Sequence, residues 1–192
     1  MGGDTGRAAP GSLELVRRFV DTQDLYNDRD EMGDATAATA WLARADVIDG
    51  TDPITRRDLA DLHGMRDALR EMAAANTIGD PSARAAVEAF NEISARHPAS
   101  VRLDLPSGAM VAALVARRDG GPRAIATIAA AVAEAVLVGT WPRLKSCANP
   151  ECRWLFYDGS RSRTARWCSM GACGSIVKSR RYRQRHREAA TG

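Results

Sequence analysis

The chain has 192 residues, which is enough for one hydrophobic core and one small additional module. Its net charge of +3 hides an asymmetry, because residues 1–140 carry 15 Arg against 21 Asp and Glu, whereas residues 141–192 carry 12 Lys and Arg against 3 carboxylates. The most apolar stretch, 124–138, is too short to cross a bilayer and the polar start does not resemble a signal peptide, so we expect a cytoplasmic protein without a membrane role.

The acidic region opens with three predicted helices. Apolar residues recur at helical spacing over 13–25, and Asp34 is placed to cap a second helix over 35–45. The third and longest helix is expected to run from its cap, Thr55, to about Asn76, because one apolar stripe extends along it. The side chains expected to face the core from these helices are Leu13, Val16, Phe19, Val20, Leu59, Leu62, Met65, Leu69 and Met72.

A fourth helix and a β-hairpin are expected next. Asp80-Pro81 is typical of a helix start, and Pro98 is expected to end this helix. The inward-facing side chains predicted for it are Val87, Phe90 and Ile93. Over 101–117 the apolar pattern changes from helical to alternating around a Pro106-Ser107-Gly108 turn, which predicts a β-hairpin.

An apolar helix closes the acidic region. Gly120-Gly121-Pro122 breaks the chain and predicts the start of a helix over 123–138. We place the domain boundary near Thr140-Trp141-Pro142, where the composition changes from acidic to basic. The sequence therefore predicts a mainly helical domain over 12–140 and a small basic module over 141–188.

All the cysteines of the chain lie in the basic region. They form the pattern C-x4-C-x15-C-x4-C and are Cys147, Cys152, Cys168 and Cys173. Two close pairs separated by about 15–20 residues are typical of a tetrahedral zinc site, in which each pair supplies two thiolates. We therefore expect one structural zinc ion with four cysteine ligands, which leave no open position for a substrate.

Two other structures also use four cysteines. A pair of disulfides requires an oxidising compartment, which the expected cytoplasmic location does not provide. An iron–sulfur cluster takes four thiolates as well and stays open as an alternative. Zinc is favoured, and it would replace a core in this module of about fifty residues, because metal binding supplies on the order of 10 kcal/mol to such a peptide.

The remainder of the basic region predicts a second hairpin and a basic helix. Trp154, Phe156 and Trp167 are expected to pack beside the metal, with stacking on nucleic-acid bases as the alternative. Asp158-Gly159 predicts a tight hairpin turn between the cysteine pairs. The stretch 174–187 contains no helix breaker and predicts a helix. The cations expected to contact nucleic acid are Arg161, Arg163, Arg166, Lys178, Arg180, Arg181, Arg183 and Arg185. The alternative is that some of them only offset the negative Zn(Cys)4 centre and otherwise face solvent.

Four stretches of the tail carry a resemblance to a known family. They are Cys147-Ala-Asn-Pro-Glu-Cys152, Trp154-Leu-Phe-Tyr-Asp158, Arg166-Trp167-Cys168-Ser169-Met170 and Lys178-x-x-Arg181-Tyr182-Arg183-x-Arg185. They are similar to the CGNR-type zinc finger proteins, bacterial transcription regulators with an N-terminal ABATE domain. The resemblance implies an α+β, mainly α fold, in which a helical domain with a small β-hairpin precedes a treble-clef-like finger of knuckle, hairpin and basic helix.

The resemblance also implies roles for individual residues. The family's CGNR tetrad appears here as Cys173-Gly174-Ser175-Ile176, so Ser175 replaces an Asn and Ile176 replaces an Arg. If the family's Asn and Arg orient the finger or contact DNA, Ser175 makes a weaker or different contact here, and Ile176 is expected to pack inward. The family's sensing role implies a pocket for an unknown small-molecule effector, with Asn27 and Arg29 as candidate ligand-binding residues. A homodimer is a further expectation for a regulator of this kind.

The acidic region contains no evident catalytic set, so we do not expect an enzyme. His63 and His97 have no obvious nucleophile or metal partner in the sequence and are expected to be structural. The first hypothesis is a zinc-dependent DNA-binding transcription regulator whose basic C-terminal helix contacts DNA. The alternatives are a zinc-stabilised module that binds protein or RNA, and a thiolate redox sensor, neither with sequence-specific DNA binding.

Overall fold

Six α-helices and three two-stranded antiparallel hairpins make up the part of the chain that a computed structural model describes, residues 8–79 and 83–191. At positions 181, 184, 185 and 187–191 it describes the backbone alone. The helices are α1 (Leu13–Val20), α2 (Ala35–Arg44), α3 (Arg56–Ile78), α4 (Arg84–Arg96), α5 (Gly121–Leu137) and α6 (Ser175–Thr191). The strands are β1 (Gln23–Asp24), β2 (Arg29–Asp30), β3 (Ala99–Asp104), β4 (Val111–Ala116), β5 (Leu144–Ser146) and β6 (Leu155–Tyr157). The expected mainly α, α+β class is confirmed.

The first two helices bury the faces that their spacing predicts. Leu13, Val16, Phe19 and Val20 of α1 are fully buried. The helix ends at Val20 rather than continuing to residue 25, because Thr22 Oγ1 donates to the Phe19 carbonyl and the β1–β2 hairpin follows. Asp34 caps α2 as predicted, since its carboxylate accepts from the Ala37 N–H at 2.8 Å.

Helix α3 is the central element of the core. A capping box joins Thr55 and Asp58 at its start, and Gly79 ends it in the left-handed conformation. Of the predicted stripe, Leu62, Met65 and Leu69 are fully buried, and the remaining two, Leu59 and Met72, are half-buried against the core.

The second half of α4 packs against α3. Ile93 is buried, and its Cδ1 lies 3.1 Å from the position that a Cβ on Gly64 would occupy, so glycine permits the close approach of the two helices. Phe90 is half-buried, but Val87 is 38% exposed, and its predicted burial is wrong because the first half of α4 lies largely in solvent. The predicted start at Asp80-Pro81 lies outside the described residues.

Helix α5 completes the core of the acidic region. Its buried side chains include Ile125, Ile128 and Val132, in agreement with the apolar pattern. Gly121 at its first position is required, because a Cβ there would lie 2.3 Å from the Asp58 Cβ. None of the helices in the described part of the chain has both the length and the apolar content needed to cross a membrane.

The hairpin formed by β5 and β6 lies in the same core as the helices. Leu144 and Leu155 are fully buried and belong to the hydrophobic cluster that contains α1, α3 and α5. At the end of α3, Asn76 Nδ2 donates to the carbonyls of Trp141 and Leu144 at 3.0 and 2.9 Å. The segment at the predicted domain boundary is therefore hydrogen-bonded to helix α3, which precedes it in the chain.

A buried carboxylate makes a further connection from α1 to β6. The Leu155 N–H donates to Asp21 Oδ1 at 2.8 Å, and Arg17 lies 3.3 Å from the other oxygen. Burial raises the pKa of Asp21 well above its ordinary value, although the Leu155 bond and Arg17 act in the opposite direction. The hairpin is thus held by apolar packing and by specific hydrogen bonds.

Candidate metal centre and finger cations

The four cysteines converge on one point. Their sulfur atoms all lie within 4.8 Å of one another, with Cys168 Sγ at 3.8 Å from Cys152 Sγ and 3.7 Å from Cys173 Sγ. A tetrahedral zinc centre with Zn–S bonds of about 2.3 Å has sulfur–sulfur edges of about 3.8 Å. Disulfides require sulfurs about 2.05 Å apart, and the four cysteines are free. The residues therefore fit one structural zinc ion, as the spacing predicts.

A tight backbone turn presents the first cysteine pair. Cys147 follows β5 directly, and its N–H donates to the Trp154 carbonyl at 2.8 Å. The Asn149 carbonyl accepts from the N–H groups of Cys152 and Arg153, both at 3.0 Å, which closes the predicted knuckle. Arg153 completes the turn with a φ of +50°. The two thiolates are thus positioned by backbone geometry.

The second pair lies just before the last helix. The Ala148 N–H donates to the Arg166 carbonyl at 2.8 Å, which brings the segment before Cys168 against the knuckle. A π-helical turn over Met170–Gly174 contains Cys173 and leads directly into α6. The buried Asn149 side chain also donates from Nδ2 to Cys173 Sγ at 3.7 Å, so it supports a ligand of the other pair.

The crowded thiols need a cation in order to ionise together. Hydrogen bonds from Cys152 and Cys168 lower the pKa of the Cys147 thiol to about 2, whereas the bond with Cys147 raises the pKa of Cys168 to about 12. Ionisation of one thiol in the cluster therefore makes ionisation of the next thiol less favourable. A zinc ion would replace the remaining thiol protons and hold the four cysteines together rigidly.

A buried ion pair supports the loop between the cysteine pairs. Asp158 is fully buried, and its carboxylate accepts from Lys145 Nζ at 2.9 Å, from the Ser160 hydroxyl at 2.6 Å and from the Ala165 N–H at 2.9 Å. Lys145 also donates to the carbonyls of Arg163 and Ala165. All three protons of the ammonium group thus have acceptors within a site that excludes water.

The predicted hairpin turn at Asp158-Gly159 is wrong. Strand β6 ends at Tyr157 and pairs with β5, so the knuckle connects the strands, and in the described residues no strand follows Gly159. The Asp158 side chain is used as a buried acceptor that holds the loop 160–165 against Lys145. An Asp-Gly pair indicates a turn, but no sequence signal indicates that the Asp158 carboxylate pairs with Lys145.

The aromatic side chains near the metal behave as a small core. Phe156 is fully buried, and Trp154 and Trp167 are half-buried. A Cβ on Gly174 would lie 3.3 Å from Trp167 Cδ1 and 3.2 Å from Met170 Sδ, so glycine allows the ring to lie against the start of α6. The Trp167 ring therefore packs beside the second cysteine pair, and the burial of Phe156 agrees with a packing role.

Most of the predicted nucleic-acid-binding side chains are exposed. Those with described side chains are Arg161, Arg163, Arg166, Ser175, Lys178, Arg180 and Arg183. The side chains of Arg181 and Arg185 lie outside the described residues. Arg180 forms an ion pair with Glu151 at 2.7 Å, and the Ser175 hydroxyl donates to the Met170 carbonyl at 3.1 Å. Ile176, in contrast, is half-buried, as expected.

Five of these side chains have no ion-pair partner among the described residues. We call them the finger cations: Arg161, Arg163, Arg166, Lys178 and Arg183. Arg161 and Arg163 lie in the loop that Asp158 holds, Arg166 directly follows this loop, and the remaining two lie on α6, which begins two residues after Cys173. Their positions thus depend on the metal cluster and on the buried ion pair beside it.

The predicted ligand-binding residues lie in the exposed β1–β2 turn. Asn27 Nδ2 donates to Asp24 Oδ2 at 2.6 Å, and Arg29 lies 3.1 Å from Glu31. These contacts stabilise the turn itself. Neither Asn27 nor Arg29 lines the main cleft of the helical region, and their role in ligand binding stays a prediction.

A cleft of about 580 Å³ lies elsewhere in the helical region. It is bounded by the start of α3, the start of α5 and the end of α4. On its wall Asp61 accepts from Arg96 at 2.5 Å and lies 2.8 Å from His97 Nε2. His97 therefore has a carboxylate partner that the sequence does not reveal, since 36 residues separate the two positions.

Two family models match the chain. The model described as "CGNR zinc finger" matches residues 143–186, and the model described as "ABATE, putative stress-induced transcription regulator" matches residues 13–139. No curated protein shows a significant sequence match to the chain. Both matched descriptions concern regulators and zinc fingers rather than enzymes.

Proposed function

We propose that this chain, which belongs to the ABATE family and carries a CGNR zinc finger, is a transcription regulator that binds duplex DNA through its finger cations. The observation that carries the proposal is the set of five exposed cations without an ion-pair partner in the described residues. Lys and Arg side chains that neutralise phosphates release condensed counterions, which is the main source of affinity for DNA. A surface of this kind on an otherwise acidic protein favours a polyanionic partner.

The zinc has a structural role in this proposal. It cross-links the knuckle to the start of α6, and the ion pair between Arg180 and Glu151 adds a second connection between the same two elements. The helix that carries Lys178 and Arg183 would therefore keep one orientation, in the manner of a treble-clef-like finger. A fixed orientation reduces the conformational entropy that is lost on binding.

The helical domain would transmit its state to the finger. The contacts of Asp21 with Leu155 and of Asn76 with Leu144 join α1 and α3 to the β5–β6 hairpin. A displacement of either helix by an effector would change the position of the hairpin that precedes the first zinc ligands. This route is the physical basis that we propose for a sensing role of the ABATE domain.

Fluorescence anisotropy of the zinc-loaded full-length chain on a labelled duplex tests the DNA-binding proposal. If about five cations contact phosphates, log affinity falls with log salt concentration at a slope of about −4 to −5. The double variant Lys178→Ala with Arg183→Ala removes two such contacts, so the magnitude of the slope decreases by about 2. Zinc content and circular dichroism of each variant establish that the fold is retained.

A matched double variant controls for the loss of net charge. Arg56→Ala with Arg84→Ala removes two exposed arginines from the helical domain and should leave the salt slope unchanged. Equal slopes for the two double variants would contradict the assignment of the finger cations. Preferential binding of single-stranded RNA over duplex DNA would instead support the RNA-interaction alternative.

A further inference from the structure

The β3–β4 hairpin has one apolar face that is open to solvent. Directly opposed residues of an antiparallel pair project to the same side. The register places Val101 opposite Leu114 and Leu103 opposite Ala112, and these four residues form what we call the apolar face. Its large side chains are 69% (Val101), 60% (Leu103) and 44% (Leu114) exposed. Exposed apolar faces of this kind are typical of interaction sites.

The outer edge of β3 is also unoccupied in the described structure. Strand β3 pairs with β4 on one side, and β4 rather than β3 lies against α5. A two-stranded ribbon is only marginally stable in water, and an open edge presents a row of free N–H and C=O groups. The edge therefore favours the addition of a further strand.

We propose that this edge binds a second copy of the chain, with β3 pairing antiparallel to the partner's β3 around a two-fold axis at Leu103. The result is a four-stranded sheet in the order β4–β3–β3–β4. The proposal goes beyond DNA binding and does not depend on it, because the dimer forms through the helical domain and can be measured without DNA.

The charges of β3 select both the partner and the register. Centring the pair on Leu103 places Arg102 opposite the partner's Asp104 and Asp104 opposite the partner's Arg102, which gives two favourable cross-strand pairs. Centring it on Arg102 or on Asp104 places like charges opposite each other, and centring it on Val101 loses both ion pairs. A shift by one residue sets apolar side chains opposite charged ones. Within one chain Arg102 and Asp104 contact each other at 2.9 Å in an exposed pair, so both are free to exchange partners.

The same register aligns the two apolar faces. Leu103 meets the partner's Leu103 on the axis, and on either side of it Val101 lies opposite the partner's Leu105, the exposed residue that directly follows β3. Each copy contributes about five residues of strand, which is a small contact compared with the roughly 800 Å² per partner of a standard interface. We therefore expect a reversible dimer with a dissociation constant on the order of micromolar.

Sedimentation velocity of the zinc-loaded full-length chain, from about 1 to 200 µM, tests the proposal. The wild-type chain should show a concentration-dependent monomer–dimer equilibrium. Arg102→Asp places carboxylates opposite each other at both ends of the pair and should raise the dissociation constant about tenfold or more. The charge-swapped double variant, Arg102→Asp with Asp104→Arg, restores both pairs and should return the dissociation constant to near the wild-type value.

A charge control and an independent readout complete the experiment. Arg84→Asp makes the same charge change at an exposed site in the first turn of α4 and should leave the dimer unaffected. Amide hydrogen exchange should show protection of β3 that increases with protein concentration. A wild-type chain that stays monomeric throughout overturns the proposal. A dimer that Arg102→Asp leaves intact, or that the double variant does not rescue, overturns the pairing through β3.

Discussion

The β3–β4 and β5–β6 hairpins share an antiparallel topology but have opposite surroundings. The six residues of β3 are all exposed, and its charged residues Arg102 and Asp104 pair at the surface. The three residues of β5 are all buried, and Lys145 pairs there with a carboxylate that is fully buried. The comparison shows that the local signal for a hairpin does not determine its burial, because the solvent exposure of a hairpin depends on the elements that pack against it.

The largest expected difference between the hairpins is their response to loss of zinc. Cys173→Ser, or treatment of the wild-type chain with a chelator, removes a contribution on the order of 10 kcal/mol, which is comparable to the total stability of a typical domain. We expect the β5–β6 hairpin, which leads into the first zinc ligand, to lose hydrogen-exchange protection, while the exchange of the β3–β4 hairpin stays unchanged. Unchanged protection of β5 and β6 in the metal-free chain would contradict the structural role of the metal.

The two ion pairs provide the next comparison. Lys145→Met leaves the Asp158 carboxylate buried without its cation, and we expect the free energy of unfolding in urea to fall by about 3–5 kcal/mol. The matched change Arg102→Met removes one partner of an exposed pair and should alter the free energy by no more than about 0.5 kcal/mol. Similar losses for the two variants would show that the surroundings of the pairs do not differ as the structure indicates.

A pair of identical substitutions compares the apolar side chains of the two hairpins. Leu155→Ala empties a fully buried site in β6 and should destabilise the chain by about 2–5 kcal/mol. Leu103→Ala acts on an exposed side chain of β3 and should change stability by about 0.5 kcal/mol or less. Chemical denaturation at submicromolar protein concentration measures both values on the monomer. A large loss from Leu103→Ala under these conditions would be contrary to the exposed position of β3.

The smallest of these effects concerns the anchor between α3 and β5. Asn76→Ala removes the donors to the carbonyls of Trp141 and Leu144, and we expect a loss of about 1–3 kcal/mol. Asn91→Ala, at an exposed position of α4, is the matched control and should be close to neutral. Thermal unfolding of both variants makes the comparison, and equal midpoints would rule out a contribution of this anchor to stability.

Local patterns were sufficient to predict most of the helices and the metal ligands. Asp34 and Thr55 cap helices where the sequence places them, because a cap depends only on residues within one turn. The spacing of the cysteines likewise predicted a cluster whose sulfurs lie within 4.8 Å. In contrast, the burial of Val87 and the hairpin turn at Asp158-Gly159 were wrong, since both depend on distant elements.

The sequence by itself determined the number of main helices, the β3–β4 hairpin, the charge asymmetry and the four ligands of one zinc ion, since each of these follows from the chemistry of neighbouring residues. Only the tertiary structure decided that β5 and β6 join the core of the helical domain, that Lys145 and Asp158 form a buried pair, and that Asp61 contacts His97. These contacts connect residues separated by many positions in the chain. These contacts form only where distant surfaces of the chain are buried against each other, and a local sequence pattern contains no information about that burial.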